Sequence, residues 1–168
     1  MFKVGDLVVY GNSGVCRVES IGPSALEGAD KSKDYYFLTP YFSGSSRILI
    51  PCDNDKVVIR AIISREEATD LLNEISDIKE LEITDEKNRE QTYKDVMRRC
   101  DCKEIVSILK TIYFRKCARL AEGKKITASD EKYFLMAEEK LYGELSVALE
   151  VAKDKIKENV VSKIKAMA

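Results

Sequence analysis

The sequence contains no histidine and no tryptophan. Histidine is the commonest general base and metal ligand in proteins, and it activates the nucleophile in Ser-His and Cys-His pairs. No pair of carboxylates or lysines stands out from ordinary surface charge in its place. These absences predict a protein that is not an enzyme and that uses no cofactor.

The chain also lacks a hydrophobic run of about 20 residues, which a membrane-spanning helix needs, and residues 1–6 lack the apolar core of a signal peptide. We therefore expect a cytoplasmic protein. The five cysteines are odd in number and lack the spacing of a disulfide framework. In a reducing cytosol we expect them to be small, mostly buried apolar residues. Cys100 and Cys102 are one residue apart rather than two, and no histidine is available to complete a site, so we expect no metal site.

Proline and most of the glycine are confined to the first third of the chain. All three prolines and six of the eight glycines lie within residues 1–60. Short apolar runs separated by turn residues predict strands in this region. The predicted strands are Leu7–Tyr10, Val15–Ile21, Tyr35–Thr39, Ile48–Ile50 and Lys56–Ile59. Five short strands in about 60 residues indicate a small Tudor/SH3-like β-barrel.

After Ile63 the sequence changes to signals that begin helices. Four segments have the form of a capping box or of a helix N-cap. These segments are Ser64–Glu67, Asn88–Gln91, Asp101–Glu104 and Thr127–Asp130. We therefore predict a second domain over residues 61–168 that is all-helical, with about five helices. The predicted fold class is α+β.

Apolar residues at helical spacing support this second domain, because they would form one buried face per helix. The apolar positions are Ile105, Ile108, Leu109, Ile112, Phe134, Leu141, Leu145, Leu149, Ala152 and Ile156.

Charge is sorted by segment although the whole chain has a net charge of only −1. Residues 65–86 carry two basic and nine acidic side chains, whereas residues 87–125 carry twelve basic and five acidic ones. A basic face attracts phosphates and gives salt-dependent affinity for nucleic acid. The alternative is that these cations are solvated and partly paired with the acidic segment. An acidic segment that screened the basic face would keep intrinsic DNA affinity low, which suits a protein recruited by a partner.

The segments Phe2–Tyr10 and Arg47–Pro51, with the glycine turn at Gly14, resemble the polymerase-interacting domain of the CarD/CdnL/TRCF family. Further along, Tyr93–Lys94, Thr127–Lys132 and Leu141–Leu145 resemble the helical tail of the stand-alone CarD/CdnL proteins. The resemblance therefore covers essentially the whole chain.

This resemblance implies a bacterial transcription regulator in the nucleoid, with no membrane and no small-molecule substrate. Its first domain, residues 1–60, would dock a strand edge on the RNA polymerase β subunit. The implied docking residues are Ser24, Leu26, Ile48, Leu49 and Ile50. Some relatives have arginine at the positions of Ser24 and Leu49, so docking here should depend more on backbone pairing and apolar contact than on charge.

The resemblance also implies that residues 61–168 contact promoter DNA at the upstream edge of the transcription bubble, largely independently of sequence, and modulate open-complex stability. Lys94 and Arg115 match basic positions of the family. The other expected DNA contacts are Arg89, Arg98, Lys116 and Lys132.

Relatives carry a wedge tryptophan at the position that Arg89 occupies here, and an arginine would contact the minor groove or phosphate instead. The missing tryptophan and the acidic segment keep one alternative open, in which the helical domain binds another protein rather than DNA.

Overall fold

A computed structural model describes residues 1–167 of the chain. It divides into two compact units, Met1–Ile62 and a second that begins at Ile63. The first unit is a β-sheet and the second is helical. This confirms the predicted α+β class, with a Tudor-like unit followed by helices. No helix in the described part of the chain is both long enough and apolar enough to cross a membrane.

The first unit is a five-stranded antiparallel sheet in the order β4-β3-β2-β1-β5. Its strands are β1 Leu7–Tyr10, β2 Gly14–Gly22, β3 Tyr35–Pro40, β4 Ile48–Pro51 and β5 Ile59–Ala61. The two outermost strands of this order, β4 and β5, form the edges of the sheet.

The fifth strand begins later than the sequence pattern predicts. Residues 54–57 form a turn, in which the side-chain amide of Asn54 donates to the Val57 carbonyl at 2.8 Å. The chain returns to β1 only after this turn: the Val58 carbonyl accepts the N–H of Gly11 at 2.9 Å, and strand β5 begins at Ile59 opposite Tyr10. The predicted glycine turn between β1 and β2 is present as a 3-10 turn over Gly11–Ser13.

One face of the sheet forms the core of the first unit. A β-bulge between Val18 and Ser20 interrupts the β2–β3 ladder, and such a bulge bends the sheet and increases its twist. The buried side chains on the concave face come from four strands, which is why this small unit holds a core. They are Val8, Cys16, Val18, Tyr36, Leu38 and Ile50.

As far as residue 167, where the description ends, the second unit contains five α-helices. They are α1 Arg65–Glu74, α2 Arg89–Arg99, α3 Cys102–Ala121, α4 Ala128–Leu149 and α5 Lys153–Lys165. The predicted α3 positions Ile105, Ile108, Leu109 and Ile112 are all buried in its core. Leu141, Leu145 and Ile156 are also buried, whereas Ala152 is exposed between α4 and α5.

The four predicted helix starts coincide with the N-cap positions of α1 to α4, and three of them make a side-chain cap. Ser64 forms a complete capping box with Glu67, and Asp101 accepts the N–H of Glu104 as an N-cap. Thr127 caps α4 by accepting the N–H of Asp130.

Asn88, by contrast, makes no side-chain cap, because a 3-10 turn over Glu86–Asn88 precedes α2. Asp85 caps that turn instead, by accepting the N–H of Lys87 at 3.0 Å. The Asn88 amide donates to the Asp85 carboxylate at 3.1 Å.

Candidate functional site

The edge strand β4 carries three of the five expected docking residues, Ile48, Leu49 and Ile50. Within the described sheet β4 pairs with β3 alone, in a register that places Leu49 opposite Phe37. The long side of β4 that faces away from β3 is therefore an open edge.

The register shows which backbone groups point to the open edge. The N–H of Cys52 donates to the carbonyl of Asp34 at 2.9 Å, one pair beyond Tyr35 and Pro51. Hydrogen-bonded and non-hydrogen-bonded pairs alternate along an antiparallel ladder. Leu49 and Phe37 therefore form a non-hydrogen-bonded pair, and the N–H and carbonyl of Leu49 point away from β3.

Side chains alternate along β4 in the same way. Ile50 is buried in the core and Ile48 packs against it from its margin. Leu49 lies on the opposite face of the sheet, half-buried like its cross-strand neighbour Phe37. Leu49 is therefore the β4 residue that offers both backbone groups and an apolar side chain to a partner.

The other two expected docking residues lie in the connection between β2 and β3. Ser24 is almost completely buried, and its hydroxyl accepts the N–H of Leu26 at 3.2 Å. Leu26 is one of the exposed large hydrophobic side chains of the first unit. Ser24 therefore shapes this loop, whereas Leu26 presents apolar surface.

In the helical unit, two of the expected DNA contacts meet at one buried carboxylate. Asp130, in the first turn of α4, is 0 % exposed. Its Oδ1 accepts from Nε of Arg89 at 3.1 Å and from the hydroxyl of Tyr93 at 3.0 Å. Its Oδ2 accepts from Nε of Arg115 at 3.1 Å. This carboxylate therefore joins α2, α3 and α4.

A second carboxylate, that of Glu86, covers the outer ends of the same two arginines. Its Oε2 lies 2.6 Å from Nη1 of Arg89, and its Oε1 lies 2.9 Å from Nη1 of Arg115. The Glu86 side chain is 66 % exposed, whereas those of Arg89 and Arg115 are 14 % and 23 % exposed. Two arginines thus lie between one buried and one exposed carboxylate.

The network keeps both carboxylates ionised. Burial alone would raise the pKa of Asp130, but the hydrogen bond from Arg115 and the charge of Arg89 hold it below its ordinary value. Burial is also the largest single influence on the pKa of Glu86 and would raise it, but the charges and hydrogen bonds of Arg115 and Arg89 together outweigh burial and lower this pKa. Burial and the neighbouring Asp130 raise the pKa of Tyr93, which therefore stays protonated and donates.

The remaining expected DNA contacts are exposed. Lys94 and Arg98 lie four residues apart on α2 and so share one face. Arg98 makes only a long ion pair, 3.8 Å from Asp95. Lys116 is exposed on α3, and Nζ of Lys132 on α4 lies 5.3 Å from the centre of the Tyr133 ring.

Part of the basic segment is paired with the acidic one, as the alternative interpretation anticipates. Lys103 lies 2.9 Å from Glu74, and Arg115 lies 2.9 Å from Glu86. Lys94 and Lys116 make no ion pair with any residue in the range 1–167. The basic segment thus contains both structural and unpaired cations.

Sequence reasoning did not find Asp130, Glu86 or Tyr93. Asp130 is 41 residues from Arg89 and 15 residues from Arg115, so no local pattern links them. The sequence pattern identified Asp130 only as part of the helix start at Thr127, and the structure shows that its carboxylate also accepts from the arginines.

The first unit is a small sheet with strand edges at β4 and β5, and strand edges are common sites of protein interaction. Residues 2–63 match the family model of the CarD-like/TRCF RID domain, which is an RNA polymerase-interacting domain. The match confirms the expected resemblance to this family for the first unit.

Proposed function

We propose that this protein docks on the RNA polymerase β subunit through the open edge of β4 and contacts promoter DNA near the upstream edge of the transcription bubble through its helical unit. In this way it modulates the stability of the open complex. The observation that carries the proposal is an RID domain whose edge strand directs the N–H and carbonyl of Leu49 outward.

Docking by strand addition fits the chemistry of this edge. A partner strand that pairs with an open edge gains main-chain hydrogen bonds, while alternate side chains supply specificity. Leu49 supplies the central donor and acceptor, and its side chain adds apolar contact together with Phe37. Leu26 adds exposed apolar surface from the β2–β3 connection.

The DNA contact is assigned first to Lys94, Arg98, Lys116 and Lys132, because these cations are exposed. Lysine and arginine contacts to phosphate are independent of base sequence and weaken with salt. The chain has no tryptophan to insert between base pairs. We therefore expect phosphate contact rather than base unstacking to dominate.

Two proline variants test the docking half of the proposal. Leu49→Pro removes the outward N–H from the β4 edge but no hydrogen bond of the β3–β4 ladder, and proline is tolerated at sheet edges. Ala61→Pro is a matched control on the opposite edge. In the β1–β5 ladder the N–H of Gly11 donates to Val58 and the N–H of Ile62 donates to Leu7. By alternation the pair midway between them, Val9 and Arg60, is also hydrogen-bonded, and the next pair, Val8 and Ala61, is not. The N–H of Ala61 therefore also points outward.

Binding of both full-length variants to purified β subunit should separate the two edges. Leu49→Pro should weaken binding by about tenfold or more, which corresponds to one lost backbone hydrogen bond and a steric clash. Ala61→Pro should bind within about twofold of the wild type, and circular dichroism should show both variants folded. Wild-type affinity for Leu49→Pro, or equal losses for both, contradicts docking through β4.

A second candidate function is binding of another protein by the helical unit. It is favoured by a cavity of about 220 Å³ lined by Tyr113, Phe134 and the exposed Leu135. Crosslinking to promoter DNA in the polymerase complex distinguishes the two candidates. Crosslinks from Lys94 or Lys116 to DNA upstream of the bubble support the first, and a helical unit that crosslinks only to protein supports the second.

A further inference from the structure

We infer that Arg89 and Arg115 form a binding site for one backbone phosphate of DNA, and that the carboxylate of Glu86 occupies this site in the free protein. The inference rests on the proposed DNA contact, for which the family resemblance already implies Arg89 and Arg115, and adds the competition by the Glu86 carboxylate for the same donors. Asp130, Arg89 and Arg115 are called the two-arginine site below.

The two-arginine site has the geometry of an anion receptor. Both guanidinium groups are anchored through Nε to the same buried carboxylate, each at 3.1 Å. This anchoring aims their Nη1 atoms at a shared position, where the two oxygens of Glu86 accept one hydrogen bond each. A phosphodiester also presents two anionic oxygens on one atom, and paired arginine donors recognise that arrangement.

Charge balance explains why an anion is needed there. Arg89 and Arg115 carry two positive charges and Asp130 carries one negative charge, so the site without Glu86 has a net charge of +1. Glu86 neutralises it in the free chain, and one phosphodiester would do the same. The exchange of one anion for the other leaves the buried part of the network intact.

Glu86 is the member of the network that can leave. Its side chain is 66 % exposed, and it belongs to a single 3-10 turn rather than to a helix. Exposed ion pairs contribute little to stability and are screened by salt. Asp130, by contrast, is fully buried and receives three hydrogen bonds.

The consequence is a DNA contact that is weak in the free protein and stronger on the polymerase. A phosphate must compete with an internal carboxylate that is always present. Tethering by the docked first unit raises the effective concentration of promoter DNA, which favours the phosphate. Glu86 therefore lowers the affinity of the free protein for DNA that the polymerase does not hold nearby.

Binding of the full-length protein to a fluorescent duplex of about 20 base pairs tests the inference. Glu86→Gln keeps the shape of the side chain and removes its charge. The matched control is Glu82→Gln, an exposed glutamate four residues earlier with the same change in net charge. Glu86→Gln should raise DNA affinity by about three- to tenfold over the control. The slope of log affinity against log salt concentration should become steeper by about one unit, the amount expected for one additional phosphate contact.

A double variant locates the effect at the two-arginine site. Combining Glu86→Gln with Arg115→Gln should abolish the gain, because the released donor pair is lost. Glu86→Asp supplies a measurement at constant charge, since the shorter side chain cannot bridge both arginines and should also raise DNA affinity. Equal affinities for Glu86→Gln, Glu86→Asp and Glu82→Gln overturn the inference, and so does a gain that persists in the double variant.

The test separates this inference from the proposed function. If the wild type crosslinks to promoter DNA in the polymerase complex while the Glu86 variants behave like the control, only the two-arginine site is refuted. If no variant contacts DNA even in the polymerase complex, the proposed DNA-binding function fails and the inference fails with it.

Discussion

Replacing Asp130 by asparagine should strongly destabilise the helical unit. The aspartate is fully buried and accepts from Arg89, Tyr93 and Arg115. Asparagine has nearly the same shape but has one oxygen and one NH₂ group in place of two oxygens. Whichever way it is oriented, the NH₂ group faces an N–H or O–H donor, and the charge that balances two partly buried arginines is gone.

The expected loss follows from the burial of the partners. Removing one member of a buried charge network costs about 3–5 kcal/mol of the free energy of unfolding, because the remaining charges stay desolvated. The arginines here are 14 % and 23 % exposed and retain Glu86, so the lower end applies. A loss of about 3 kcal/mol lowers the melting temperature of a unit of this size by about 12 °C.

Thermal unfolding followed in the far-ultraviolet helix band measures this loss, since all five helices belong to the second unit. Asp95→Asn is the control, because Asp95 is half-exposed, makes only a long ion pair of 3.8 Å with Arg98, and accepts an exposed hydrogen bond from Gln91 at 2.9 Å. It should change stability by less than about 0.5 kcal/mol. An Asp130→Asn variant that melts within about 3 °C of the control would refute the view that this carboxylate holds α2, α3 and α4 together.

Two further predictions follow from the charges of the helical unit. Its pKa shifts make the unit acid-sensitive: Asp130 and Glu86 have lowered pKa values in the folded state. Their contribution to stability is therefore present above the ordinary carboxyl pKa of about 4 and is lost as the pH falls through their pKa values in the folded state. Urea unfolding at a series of pH values should show the free energy of unfolding fall over this acid range, and Asp130→Asn should make that fall smaller. Charge reversal at Lys94 and Lys116 should lower promoter contact in the polymerase complex by about tenfold and reduce its salt slope by about two. The same reversal at the exposed Lys155 and Lys165 of α5 should leave it nearly unchanged.

Local patterns predicted much of the fold because the relevant physics is local. The Ser64 capping box and the α3 core positions depend on neighbours within one or two helical turns, and both are confirmed. The start of α2 at Asn88 was also predicted correctly, but the side-chain cap expected there is absent, because Asp85 caps a 3-10 turn that directly precedes the helix.

The site was less predictable because it depends on long-range pairing. The motif Ile48–Ile50 is readable as a strand, but its edge position follows only from the order of all five strands. The basic segment was visible from composition, whereas the pairing of Arg89 with Asp130 spans 41 residues. The sequence gives the number of charged side chains, but which of them are exposed and which are paired depends on the tertiary structure.

Hydrogen exchange at a single backbone amide tests the central claim most directly. In the free protein the N–H of Leu49 points away from β3 and should exchange fast, as should the N–H of Ala61 at the opposite edge. Addition of saturating polymerase β subunit should slow exchange at Leu49 by about a hundredfold or more and leave Ala61 unchanged. A complex in which Leu49 still exchanges at its free rate would contradict docking by strand addition at β4.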